Sequence, residues 1–258
     1  MANWIPLSIG KHAAANYLPR QGFAFAANRQ VVFIFLAELA NLIPHYVLAF
    51  MRQNERLQPV TVTGLGNGNL YLKTDGRWSA PYVPALLRSH PFRLLKTDTQ
   101  DQVLCIQADH LVDGSKGQPL FDSKGNLTQP VKEMLNFLNA CEKNRQVTEA
   151  ACSGLEKTGV IEKWPLQVKP EEGQDPIQVD GLYRVNENAL NTLNPETFAG
   201  LRSRGALALV YAHLFAMSRL PGLVERANHH AQQQAPGPKA ADLEKLFRDD
   251  DILRFNNV

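Results

Sequence analysis

The sequence predicts an α+β fold: a largely antiparallel sheet with flanking helices, a helical C-terminal region and a short tail. Three features carry this. Short apolar runs in the first 110 residues are separated by turn residues and short helices, which suits hairpins and not a βαβ array. From residue 186 onward the pattern turns helical. The segment QAPGPK then sets off the last residues, which gives a division into a domain at 1–234 and a linker and docking tail at 235–258.

In chain order, 4–9 and 22–27 are broken by Pro6 and Pro19 and should be irregular or strand-like edge pieces. VVFIF suits a strand, 36–42 a helix ended at Pro44, and 46–51 a strand. LQPVTVTGL alternates as a half-buried strand, and GNGN should turn it directly into a second strand at 70–72. Thr74-Asp75-Gly76 is another turn. Pro84 opens a short helix within 82–90, and strands follow at 92–95 and 103–107. LFDSKGNLT is a turn. Thr128 and Pro130 start a helix on which Val131, Met134, Leu135 and Leu138 recur at helical spacing. Thr148 should cap another helix, which Gly159 closes. The segments 160–168 and 177–185 read as strands around an exposed KPEEGQDP loop. Asn186 and Asn194-Pro195 are N-cap signals, Gly205 is a stop, and Pro221-Gly222 should break the apolar helix that follows.

Composition limits the function. With 44% hydrophobic and 20% charged residues among 258, the chain can bury a sizeable core. A net charge of +2 argues against nucleic-acid binding by phosphate neutralisation. Residues 1–100 hold ten Lys/Arg against four Asp/Glu, so this part carries +6 and the remainder −4. That favours an anionic ligand only weakly, because scattered solvated charges explain it as well. Cys105, Cys141 and Cys152 form no CxxC pair and read as reduced thiols in the cytoplasm. The N-terminus lacks signal-peptide features. The run 31–51 is long enough to span a bilayer, but it contains Glu38, Asn41, Pro44 and His45, so buried core and no membrane insertion are expected.

No standard catalytic signature is present. Gly64-x-Gly66-x-Gly68 has Asn69 where the dinucleotide fingerprint needs glycine, and a hairpin explains it better. No histidine has a carboxylate two residues on, and HExxH and GxSxG are absent, so neither metal nor cofactor is expected. Glu38, in so apolar a segment, must find a partner or take a raised pKa. It is a hydrogen-bonded structural acid or a catalytic base. Arg88 and Arg93, flanking His90-Pro91, suit a carboxylate or phosphate, or a structural acid. His213 reads as a core or interface histidine.

The stretch 64–92 concentrates aromatic and basic residues. Asn69, Trp78, Tyr82, Arg88, His90 and Phe92, with Glu38, are the candidate ligand- or partner-binding residues. Trp78, Tyr82, Arg88 and Phe92 are expected to converge. In the tail, Leu243, Leu246 and Phe247 form a one-sided stripe with Phe255 as a second anchor.

The chain carries Glu38…Pro44, Asn69-Leu70, Gly76-x-Trp78-x-x-x-Tyr82-x-Pro84, Arg88-x-x-Pro91-Phe92, Leu120-Phe121-Asp122-x-x-Gly125 and Gly181-Leu182-Tyr183-x-Val185 leading into GALALVYAHLFAMSRL. In these residues it resembles the SapC family of bacterial proteins. Ile43-Pro44 departs from the family's Tyr-Pro-like pair. The resemblance implies a role linked to envelope transport or modification, since similar proteins are commonly encoded near TonB-dependent receptors, halogenase-like proteins and cupin-like oxygenases, and it brings no agreed catalytic residues. Two expectations follow: a non-catalytic accessory protein with a partner protein or small ligand on the 69–93 surface, or an enzyme using Glu38, His90 or Arg88. A homo-oligomer stays open.

Overall fold

The computed structural model describes residues 3–66, 68–96, 102–114, 116–168 and 177–234. Its centre is a five-stranded antiparallel sheet in the order Ile161–Lys163, Leu182–Val185, Val47–Gln53, Arg56–Val62, Val31–Phe33. The two long strands turn at Asn54-Glu55, with φ of 48° and 63°. Two successive left-handed residues match the twist of the strands they join. The expected alternation over 57–65 fails. Pro59, Val60, Thr61 and Val62 are all buried, as are Val47 to Phe50 on the neighbouring strand, because both faces are covered.

A second antiparallel sheet pairs Trp4–Pro6 with Gln102–Gln107 and that strand with Phe92–Lys96. Leu111–Val112, Asn16–Tyr17 and Gln118–Pro119 form a small third one. The helix Gln129–Glu156 joins the two main cores. Val131 and Leu138 pack with Tyr17, Phe92, Ile106 and Leu120. Ala151, Cys152 and Leu155 pack in the core of the central sheet. Antiparallel sheets with helices, 42% helix and 25% strand among the described residues, make the fold α+β.

Several local expectations need correction. The two helices expected over 128–159 are one helix of 28 residues. Thr148 lies inside it: its Oγ1 donates to Asn144 O at 2.7 Å and accepts the Leu36 N–H at 3.0 Å. Each of the two late strands is interrupted, leaving Ile161–Lys163 and Leu166–Val168, then Ile177–Val179 and Leu182–Val185. Pro221 and Gly222 do not break the helical run. They fall in the first turn of Leu220–Gln234, where a proline sacrifices no helical N–H bond. The run 206–232 contains an 18-residue window of mean hydropathy 1.4 and is long and apolar enough to cross a membrane by length and composition alone. Leu209, Val210, Ala212, His213 and Ala216 on it are buried in the protein. The KPEEGQDP loop, the linker and the tail anchors Leu243, Leu246, Phe247 and Phe255 lie outside the described residues.

The strand expected at 70–72 reduces to one bridge, Leu72 with Trp78. Leu70 N instead donates to Thr63 O at 2.7 Å, closing a tight loop. Inside that loop, a Cβ on Gly64 would collide with the Gly68 carbonyl and stand 3.0 Å from Gln30 Cγ. Gly64→Ala is expected to cost about 1–3 kcal/mol, read from urea unfolding. A variant within about 0.5 kcal/mol of the parent would show that the loop relaxes freely.

Candidate functional site

Glu38 ends the short 3₁₀ turn Leu36–Glu38 and is 4% exposed. One carboxylate oxygen, Oε2, reaches back to the Phe35 N–H at 3.0 Å, as in the acidic half of a capping box. The other, Oε1, accepts from the Ala85 N–H at 2.6 Å and the Tyr82 hydroxyl at 3.0 Å. Ala85 begins the short helix Ala85–Arg88, which Pro84 opens. Arg88 Nη2 donates to the Tyr82 hydroxyl at 3.0 Å, and its guanidinium lies over the Tyr82 and Phe137 rings at 5.1 and 4.9 Å. Its Nε is buried and takes no partner among the described residues. Burial pushes the Glu38 carboxyl above its usual range, against the pull of its three donors and of Arg88.

Trp78 joins this group through Tyr46. Trp78 Nε1 donates to the Tyr46 hydroxyl at 2.7 Å, and that hydroxyl donates to the Tyr82 carbonyl. The other candidates have different neighbours. Asn69 is buried, donating to the Ala26 and Arg29 carbonyls at 3.2 and 3.1 Å and accepting the Tyr71 N–H at 2.9 Å. His90 stacks on Phe25 at 3.8 Å and meets His110 Nε2 at 3.0 Å. Burial, with His110 and the charges of Arg20 and Arg29, holds His90 down to about 4. Phe92 packs edge-on against Tyr17 at 5.0 Å, in the second core. The expected convergence therefore holds together Tyr82 and Arg88, links Trp78 through Tyr46, and leaves Phe92 apart. Hairpin geometry alone does not decide which side of a sheet each residue joins.

The three cysteines are free and buried. Burial pushes Cys141 to about 11 and Cys152 to about 12, so both are poor nucleophiles at neutral pH. Among the described residues no group of three or more His, Cys, Asp or Glu is placed to hold a metal ion.

Two cavities are present that sequence reasoning missed. A cleft of about 230 Å³ lies between the 69–93 stretch and the helix Leu220–Gln234, lined by His45, Tyr71, Pro81, Arg219, Leu223 and Arg226 among others. Arg226 lies over the Tyr71 ring at 4.7 Å and donates to Ser79 Oγ at 3.1 Å. Tyr71 donates to the His45 carbonyl at 3.0 Å, and burial raises its phenol to about 12, so it stays neutral. The cleft lining contains no Asp or Glu. A larger cavity of about 440 Å³ is bounded by Glu162, Arg184, Asn186, Glu187, His213 and Met217 among others.

The model of the SapC family matches residues 7–223. The chain belongs to the SapC family. No curated protein and no solved structure matches it. In this SapC-family chain the matched span takes in the whole Glu38–Tyr82–Arg88 network and every lining residue of the larger cavity. It also takes in the cleft lining except Arg226. No short motif announces the cleft, because its arginines come from a helix far along the chain from Tyr71.

Proposed function

We propose that this SapC-family protein is a non-catalytic accessory protein of the cytoplasm, linked to cell-envelope transport or TonB-dependent uptake. It binds an anionic group of a partner protein or small ligand at the cleft beside the 69–93 stretch. One observation carries the reading: Arg219 and Arg226 line a cleft that has no acidic residue. Neither arginine is in an ion pair with a described residue. The Tyr71 ring and Ser79 hold the Arg226 guanidinium in place, which lowers the entropy lost when it forks onto an oxyanion. At about 230 Å³ the cleft is below the size of ordinary ligand pockets, so it suits one carboxylate or phosphate group, not a large molecule.

The enzyme alternative has less support. Glu38, Arg88 and His90 line neither cavity, and both Glu38 oxygens are engaged. Calorimetric titration of the whole chain with succinate and with inorganic phosphate tests the binding reading. Arg226→Gln is expected to weaken whichever anion binds by about tenfold, or roughly 1.4 kcal/mol. Failure of both anions to bind the parent, or unchanged affinity in the variant, would remove the cleft from the proposal. Recovery of a chemically altered small molecule after incubation with metabolites would favour an enzyme instead.

A further inference from the structure

We infer that the 440 Å³ cavity is a binding site for a primary alkylammonium group, separate from the anion cleft and independent of the function proposed for it. Its lining includes His213, which is only 2% exposed. His213 Nδ1 donates to the Leu48 carbonyl at 2.9 Å, so in the neutral ring Nε2 is left as an acceptor. No described residue donates to that nitrogen. The ring is neutral at physiological pH, because burial holds its pKa down to about 4, with the Leu48 carbonyl opposing and Arg184 adding to the shift. The Nε2 nitrogen is not among the buried polar atoms left without a partner, so it is open to the cavity, where a ligand N–H or O–H can supply its donor.

The rim selects the charge of that donor. Glu162 accepts from Arg184 Nε and from Asn186 Nδ2, both at 2.7 Å, so the one cation of the lining is already committed. Glu187 also lines the cavity and pairs with no described residue. With Glu162, Glu187 and Arg184 counted and His213 neutral, the lining carries a net charge of −1. Leu214 and Met217 supply an apolar wall suited to a short alkyl chain. A primary ammonium brings both the missing N–H and the missing positive charge. A carboxylate would meet carboxylates and an imidazole lone pair. A quaternary ammonium carries the charge but has no N–H for His213.

Three small probes separate these cases in an NMR titration of the full chain at pH 7.5: n-butylammonium, n-butyltrimethylammonium and butyrate. Butylammonium should saturate, shift the His213 ring signals, and bind at least about tenfold tighter than the quaternary ion, while butyrate leaves those signals unmoved. His213→Phe keeps an aromatic ring beside Phe50 and Trp164 but removes the acceptor, and should weaken butylammonium at least about fivefold. Glu187→Gln, on the exposed rim, should weaken it by a similar factor without touching the core. Binding of succinate or phosphate at the cleft should be the same in both variants, so failure of one site is distinguishable from failure of the other. Equal affinity for the primary and quaternary ions, the absence of a saturable shift, or full affinity retained in Glu187→Gln would each overturn the assignment.

Discussion

Replacing Glu38 by alanine is expected to destabilise the protein by about 3–5 kcal/mol. The carboxylate is 4% exposed and satisfies three donors at once. Two of them, the Phe35 and Ala85 N–H groups, are backbone donors in a buried setting and have nowhere else to turn once the side chain is gone. The third, the Tyr82 hydroxyl, also receives Arg88, so the substitution leaves that guanidinium with a weakened partner. Glu38→Gln keeps one oxygen acceptor and should cost less, about 1–3 kcal/mol. The pH dependence has a definite sign. Burial is the largest influence on this carboxyl and raises its pKa, so the folded state holds the proton more tightly than the unfolded chain. The contribution is complete below the unfolded value of about 4.3 and is lost as pH rises through the folded value. The advantage of the parent over Glu38→Gln should therefore narrow as pH rises from about 4.3, in urea unfolding at a series of pH values. An advantage that grows with pH would mean that the three donors outweigh burial.

Glu38 was legible in the sequence because a charge inside an apolar run has to be explained by something. Its partners were less so. Tyr82 and Arg88 are six residues apart, and only the short helix after Pro84 brings the guanidinium back onto the phenol. Strands 47–53, 92–96 and 102–107 could be read because β-branched and apolar runs end at turn residues. The long helix Gln129–Glu156 could not, since its apolar spacing lapses over 142–146 and Thr148 looks like a cap. Those polar residues belong to the helix surface, where Arg145 bridges Glu142 and Glu149 one turn to either side. The cleft was illegible for a different reason. Arg226 meets Ser79 across 147 residues of chain, and no local pattern records a contact of that range. His213 could be identified as a buried histidine, but the cavity beside it exists only once the helix Ala206–Ala216 lies on the central sheet.

Removing one hydroxyl group should have nearly as large an effect as removing Glu38. Tyr46→Phe leaves the ring, its 4.6 Å contact with Tyr71 and almost all of its volume in place, so cavity formation contributes little. What it removes is a group working in both directions, accepting from Trp78 Nε1 and donating to the Tyr82 carbonyl. Tyr46 is fully buried, so water cannot readily take over either role. Two orphaned partners at roughly 1–3 kcal/mol each, partly relieved by relaxation, give an expected loss of about 2–4 kcal/mol. Tyr71→Phe is the matched control. Its hydroxyl has one protein partner among the described residues, the His45 carbonyl at 3.0 Å, so its loss should cost about 1 kcal/mol. Because Tyr82 also donates to Glu38, the double variant Tyr46→Phe/Glu38→Gln should depart from additivity by at least about 0.5 kcal/mol. Urea unfolding followed by tryptophan fluorescence reads both quantities. A Tyr46→Phe loss no greater than that of Tyr71→Phe would show that the hydroxyl is not what ties Trp78 and Tyr82 together, and strict additivity would separate it from the Glu38 network.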